Sequence, residues 1–169
     1  MTAFEKQAFP KAASRSINEA LKKVETHTVR ALASSTGARQ KTIRATLKRG
    51  KASQARLIAS LSSRAERPLS LMEFGARQTK KGVSSKAWGK RKLYRHAFIA
   101  SMPNGKVGVF TRKRTQRLPI KTLYGPSIPR EMADNEIKDM MNSVFQQRLR
   151  DRFPHNLDRA VRQYLKRIG

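Results

Sequence analysis

Apolar residues recur at three- and four-residue intervals at both ends of the chain, and between them the pattern breaks into short strand-like runs. That succession of periods is the strongest constraint on the fold. From about Lys11 to Ala33, Ala13, Ile17, Ala20, Leu21, Val24, Ala31 and Leu32 predict an amphipathic helix. Pro10 suits its first turn, and Ser34-Ser35-Thr36-Gly37 supplies the stop. A shorter helix is expected over Ala38–Lys48, where Ile43 and Leu47 lie one turn apart in an almost wholly cationic setting. After Tyr124-Gly125-Pro126, the residues Ile137, Met141, Val144, Phe145 and Leu149 form a second stripe. Ser127 is placed to cap that helix, with Pro129 in its first turn and Glu131, Asp134 and Glu136 near the positive end of its dipole. Pro154 is predicted to interrupt or kink it, and a last helix is expected over about His155–Arg167.

The middle predicts strands over Ala55–Ser60, Leu69–Phe74, Gly82–Trp88, Ala97–Met102 and Lys106–Arg112. Asn104-Gly105 suits a two-residue hairpin turn, which pairs Met102 with Val107, Ala100 with Val109 and Ile99 with Phe110. Gln78–Arg95 has little apolar surface beyond Val83, Trp88, Leu93 and Tyr94, and reads as a long basic hairpin or loop. Helices, strands, then helices give an α+β fold. Its expected parts are an N-terminal helical arm over residues 1–52 and a core over 53–169, in which a small antiparallel sheet carries the basic hairpin and the C-terminal helices pack on the sheet.

The chain of 169 residues has 38 Lys and Arg against 11 Asp and Glu, a formal charge of +27. Such self-repulsion calls for an anionic partner. From Arg30 to Arg130 there are 25 basic residues against Glu66 and Glu73 alone, a local excess of 23. No cysteine is present, so disulfides and thiolate metal sites are excluded, and synthesis in a reducing cytoplasm is the default expectation. Met1–Pro10 has no apolar signal core, and no window approaches the ~20 apolar residues of a membrane span.

Catalytic chemistry is hard to find. His27, His96 and His155 are scattered, and none has a carboxylate or second histidine at ligand spacing, so no metal site is expected. Asp134, Glu136 and Asp139 are accounted for by the first turns of a helix. There is no phosphate-binding glycine loop or nucleophile elbow, and neither an enzyme nor a cofactor is expected. The basic residues read differently, because a solvated face interleaves both signs whereas Arg39–Lys51 contains no acid at all. Contacts to nucleic-acid phosphates are expected from Arg39, Lys41, Arg44, Lys48, Arg49 and Lys51, and from Lys80, Lys81, Lys86, Lys90, Arg91, Lys92 and Arg95. Trp88, Tyr94 and Phe98 lie nearby but read as core rings rather than stacking platforms. The run Thr111–Arg117 is a further cationic stretch, either solvated or facing phosphate. Composition alone would also permit a cytoplasmic nucleic-acid-binding protein of ribosomal or nucleoid type, or a basic face that docks on acidic proteins.

Three segments in order resemble the minor tail protein Z family of tailed bacteriophages: Gly82-Val83-Ser84-Ser85-Lys86-Ala87-Trp88-Gly89, Ala97-Phe98-Ile99-Ala100 with Asn104-Gly105, and Arg117-Leu118-Pro119-Ile120-Lys121-Thr122-Leu123-Tyr124-Gly125-Pro126-Ser127. The likeness extends over essentially the whole chain. It implies a non-enzymatic virion protein that completes the tail and readies its head-proximal end for joining to the capsid. Tail completion and terminator proteins of this kind form rings, commonly hexameric and coaxial with the tube. The resemblance therefore implies a homo-oligomer that meets tail and neck proteins, with basic segments near packaged DNA, and it supplies no catalytic residue.

Overall fold

A computed structural model describes residues 3–65, 67–113 and 118–168, with 3–7 and 167–168 described in backbone only. The elements are α1 (Ala3–Thr36), α2 (Gln40–Thr46), β1 (Leu47–Gly50), β2 (Ser60–Ser63), β3 (Arg77–Thr79), β4 (Gly82–Ser85), β5 (Lys92–Arg95), β6 (Ala97–Ser101), β7 (Val107–Arg112), β8 (Ile120–Thr122), α3 (Ile128–Met132) and α4 (Asn135–Ile168). Strands pair as β1-β2, β3-β4-β5 and β6-β7-β8. The α+β class therefore holds. Two compact units emerge: residues 1–28, 48–62 and 135–169 form the first, and 29–47 with 63–134 form the second. No helix among the described residues is long and apolar enough to cross a membrane.

The first unit is a pair of helices. Lys11 donates to Gln163 at 3.1 Å, Asn156 to Ser16 at 3.0 Å and Arg152 to Glu19 at 2.9 Å. Rising numbers on α1 meet falling numbers on α4, so the helices run antiparallel. Ala8, Ala12 and Ala160 are buried between them, with Leu157 and Tyr164 packed against the cluster, and small side chains let the backbones approach. Phe9 meets Phe153 edge-on at 5.7 Å. Asn18 holds the segment after β1 through two bonds to the backbone of Ala52, each 2.9 Å.

Burial pushes the Glu19 carboxyl up, but Arg152, Arg15 and Asn156 outweigh it and hold the group below its ordinary value of 4.5. A depressed folded value means stability that is present above the unfolded value and lost as pH falls through the folded one. Melting temperatures taken from pH 7 down to pH 3 are expected to fall less steeply for Glu19→Gln than for the parent chain. Parallel curves for the two proteins would remove Glu19 from the acid response.

The second unit buries Leu71, Phe74, Val83, Val109, Phe110 and Ile128 around its two three-stranded sheets. Several expectations need correction here. Helix α1 begins at Ala3, so Pro10 lies inside it, and it ends at Thr36, where the Gly37 N–H bonds the Ala33 carbonyl at 3.0 Å. Helix α2 is shorter than Ala38–Lys48, because the chain extends into β1 from Leu47. Ala55–Ser60 is not a strand, and pairing begins only at Ser60. Leu69–Phe74 contributes a single bridge, Ser70 to Tyr124, and then coils into a 3-10 turn over Leu71–Phe74. The Ser70 hydroxyl causes the switch by accepting from the Met72 N–H, a local bond that competes with a ladder.

Gln78–Arg95 is a three-stranded antiparallel sheet rather than a long hairpin or loop. Lys80-Lys81 join β3 to β4, and β4 pairs with β5 as Gly82 to Arg95 and Ser85 to Lys92. The strand expected to reach Trp88 stops at Ser85 and gives way to a 3-10 turn over Ala87–Gly89. The β6-β7 hairpin exists, but its register is Ser101 to Val107, Ile99 to Val109 and Phe98 to Phe110. A two-residue turn at Asn104-Gly105 would need an N–H from residue 103, and proline has none. The N–H of Met102 bonds the Lys106 carbonyl instead, at 3.0 Å, leaving a three-residue loop that Gly105 closes at φ +74°. That one-residue slip changes every cross-strand partner.

Ser127 precedes α3 but makes no side-chain cap bond, and the expected single helix is split at Ala133-Asp134. Pro154 does not end α4, which continues to Ile168. The proline removes one amide donor, while Asn156 and Ala160 beyond it remain packed on α1.

Candidate nucleic-acid interface

All thirteen cations assigned to phosphate contact are exposed. Arg39, Lys41 and Arg44 sit on or beside α2, which turns its buried Ile43 inward and its charges to solvent. Thr42 on the same helix donates to Glu73 at 3.0 Å. Lys48 and Arg49 lie on β1 and Lys51 just beyond it, and these three belong to the first unit. Arg49 already holds a carboxylate, Glu25, at 3.2 Å. Among the described residues it is the only one of the thirteen in an ion pair.

The remaining seven all lie in the second unit, whose sequence has 21 basic residues against four acidic ones. Lys86, Lys90 and Arg91 occupy the connection from β4 to β5, and Arg91 donates to the Ser84 hydroxyl at 3.0 Å. The Lys92 ammonium stands 5.9 Å from the Tyr94 ring centre. In that same connection Trp88 is half exposed and held at φ +57°, so it is not the core ring expected from its neighbours.

At the opposite end of the sheet the antiparallel register sets Arg95 across from Gly82, beside Lys80 and Lys81. The turn from β5 to β6 adds His96, and β6 and β7 add Phe98 and Arg112. Together these line an open cleft of about 430 Å³. Gln78 fixes its floor, because its carbonyl accepts from Ile99 N–H at 2.9 Å and its amide donates to the Thr79 and Gly82 carbonyls at 3.1 and 3.2 Å. His96 is held at φ +58°, and its N–H reaches the Lys81 carbonyl at 3.3 Å. The Arg112 guanidinium lies 5.4 Å from the Phe98 ring centre.

The cleft brings together Lys80, Lys81 and Arg95, which the sequence names as expected phosphate contacts, with His96 and Phe98, which it gives no such role, and Arg112. Arg112 was visible only as part of the run Thr111–Arg117, of which residues 114–117 lie outside the described residues. No group of three or more His, Cys, Asp or Glu able to hold a metal ion occurs among the described residues.

The family model for prophage minor tail protein Z matches residues 1–168 of the chain. No curated protein and no solved structure matches it.

Proposed function

The chain belongs to the prophage minor tail protein Z family, and from that membership we propose that it completes the bacteriophage tail at its head-proximal end and joins it to the neck. As a tail protein it is a structural component of the virion and works against other tail proteins. In the proposed role it does so without catalysis, as a ring of identical subunits, with six favoured. Packaged DNA then lies against the basic face of the second unit.

The observation that carries the DNA contact is the freedom of its cations. Lys80, Lys81, Lys86, Lys90, Arg91, Lys92 and Arg95 all reach solvent, and none has a carboxylate partner among the described residues. A surface whose only role was solubility would interleave both signs. Cations left unneutralised in the subunit are available to displace counterions from phosphates, a contact indifferent to sequence and therefore suited to any length of genome. Arg49 is withdrawn from this role by Glu25.

Cryo-electron microscopy of intact virions tests the reading directly. The expected result is a ring of this chain at the head-proximal end of the tail, with the second unit turned toward DNA density. Density for the chain at the distal tip, or a neck fully accounted for by other proteins, would overturn the positional claim. A ring whose basic face meets acidic protein instead would overturn the DNA contact alone.

A further inference from the structure

The geometry points to a discrete phosphate-binding site in the cleft between the Lys80-Lys81 link and the turn at His96, with the phosphodiester of a nucleic-acid strand as its ligand. It rests on the reading that the second unit meets DNA, and it replaces a diffuse basic face with one seat. Four cations, Lys80, Lys81, Arg95 and Arg112, line a space of about 430 Å³ together with His96, and no acidic side chain among the described residues lines it. Like charges gathered from two strands and a link raise the energy of the empty protein, and an oxyanion between them reverses the sign of that interaction. Guanidinium forks match the oxygens of a tetrahedral phosphate in pairs, which a point charge does not.

The site is also built rather than merely charged. Gln78 has its carbonyl and its amide engaged with backbone of both sheets, so the floor does not depend on a ligand for its shape. His96 adopts a backbone conformation that non-glycine residues visit sparingly, and such conformations persist where the surroundings over-determine them and cluster at ligand sites. The Phe98 ring and the Arg112 guanidinium, 5.4 Å apart, form a wall beside the charges. A flat wall next to a phosphate seat suits the apolar face of the sugar that a strand carries with its phosphate.

The test uses the full chain, a fluorescently labelled duplex of about 20 base pairs and anisotropy at several salt concentrations. One variant combines Arg95→Ser with Arg112→Ser, and the other combines Arg39→Ser with Arg44→Ser. Both remove two exposed charges from the second unit, so a difference between them reports the cleft and not net charge. The expected result is a loss of about tenfold or more for the cleft variant, with the slope of log affinity against log salt shallower by about 0.9 for each phosphate that is no longer neutralised. The α2 variant is expected to lose less than about threefold, and circular dichroism confirms that both remain folded. Equal losses in the two variants, or a larger loss in the α2 variant, would overturn the cleft and leave the general DNA contact standing. If the parent chain does not bind the duplex, the DNA contact itself fails, and inorganic phosphate decides the cleft. Saturable amide shifts confined to Lys81, His96 and Ala97 would support a site for a free phosphate group, and their absence would overturn it.

Discussion

Replacing Phe74 with Ala is expected to lower the stability of the second unit by about 3–5 kcal/mol, and in that background Gly125→Ala is expected to become nearly harmless. Phe74 is 3% exposed. A Cβ built on Gly125 would run into the edge of its ring, closer than real contacts allow. With the ring in place, Gly125→Ala therefore forces ring or backbone to move, at about 1–3 kcal/mol. The backbone has little room to yield, because the Gly125 N–H bonds the Leu69 carbonyl at 2.7 Å and Leu69 N–H bonds the Pro126 carbonyl at 3.1 Å. With the ring removed, the added methyl enters the cavity it left, so the two losses do not add. Urea unfolding of the four proteins, followed through the single tryptophan, Trp88, measures the coupling. Additive losses would show that the ring and the glycine do not constrain each other.

The same contact explains part of what was legible in the sequence. Tyr124-Gly125-Pro126 stood out as a turn before a helix, and the structure gives the glycine a second reason to be there, the close approach of Phe74. The strands Val107–Arg112 and Ala97–Ser101 were readable from their apolar residues, while their register was not. The deciding atom is an absent one, the amide hydrogen of Pro103, and periodicity does not register it. The exposure of the thirteen cations followed from charge alone. Their grouping did not, because Arg112 reaches the Lys80-Lys81 link only through the pairing of β6 with β7 and the bond from Ile99 to Gln78. His96 has no carboxylate or second histidine at ligand spacing in the sequence, and its neighbours in the fold are cations and a carbonyl, which spacing does not reveal. Trp88 reads as a core ring from its place in the strand-rich part, whereas it stands half exposed on a left-handed backbone.

The continuity of α4 through Pro154 leads to the second large effect, in which Pro154→Ala is expected to stabilise the C-terminal half of that helix by about 2–3 kcal/mol. An interior proline costs roughly 3 kcal/mol relative to alanine, since it lacks the N–H that would bond the Arg150 carbonyl and its ring crowds that turn. Pro154 is exposed, so little packing is lost with it. Helical preference therefore does not hold residues 155–168 in register, and the seam with α1 must do so. Its polar clasp is Asn156, 3% exposed, donating to Ser16, which in turn donates to the Ala12 carbonyl at 2.9 Å. Asn156→Ala breaks that clasp and leaves a buried hydroxyl short of a partner, at about 1–3 kcal/mol. The two substitutions should be coupled in hydrogen exchange. With proline at position 154, Asn156→Ala is expected to speed exchange of the amides beyond it by about tenfold or more. With alanine there, the helix propagates from its own N-terminal half, and the same substitution has a smaller effect. Unchanged exchange in Pro154→Ala would mean that the proline is already accommodated without loss, and the dependence of α4 on its α1 seam would fall with it.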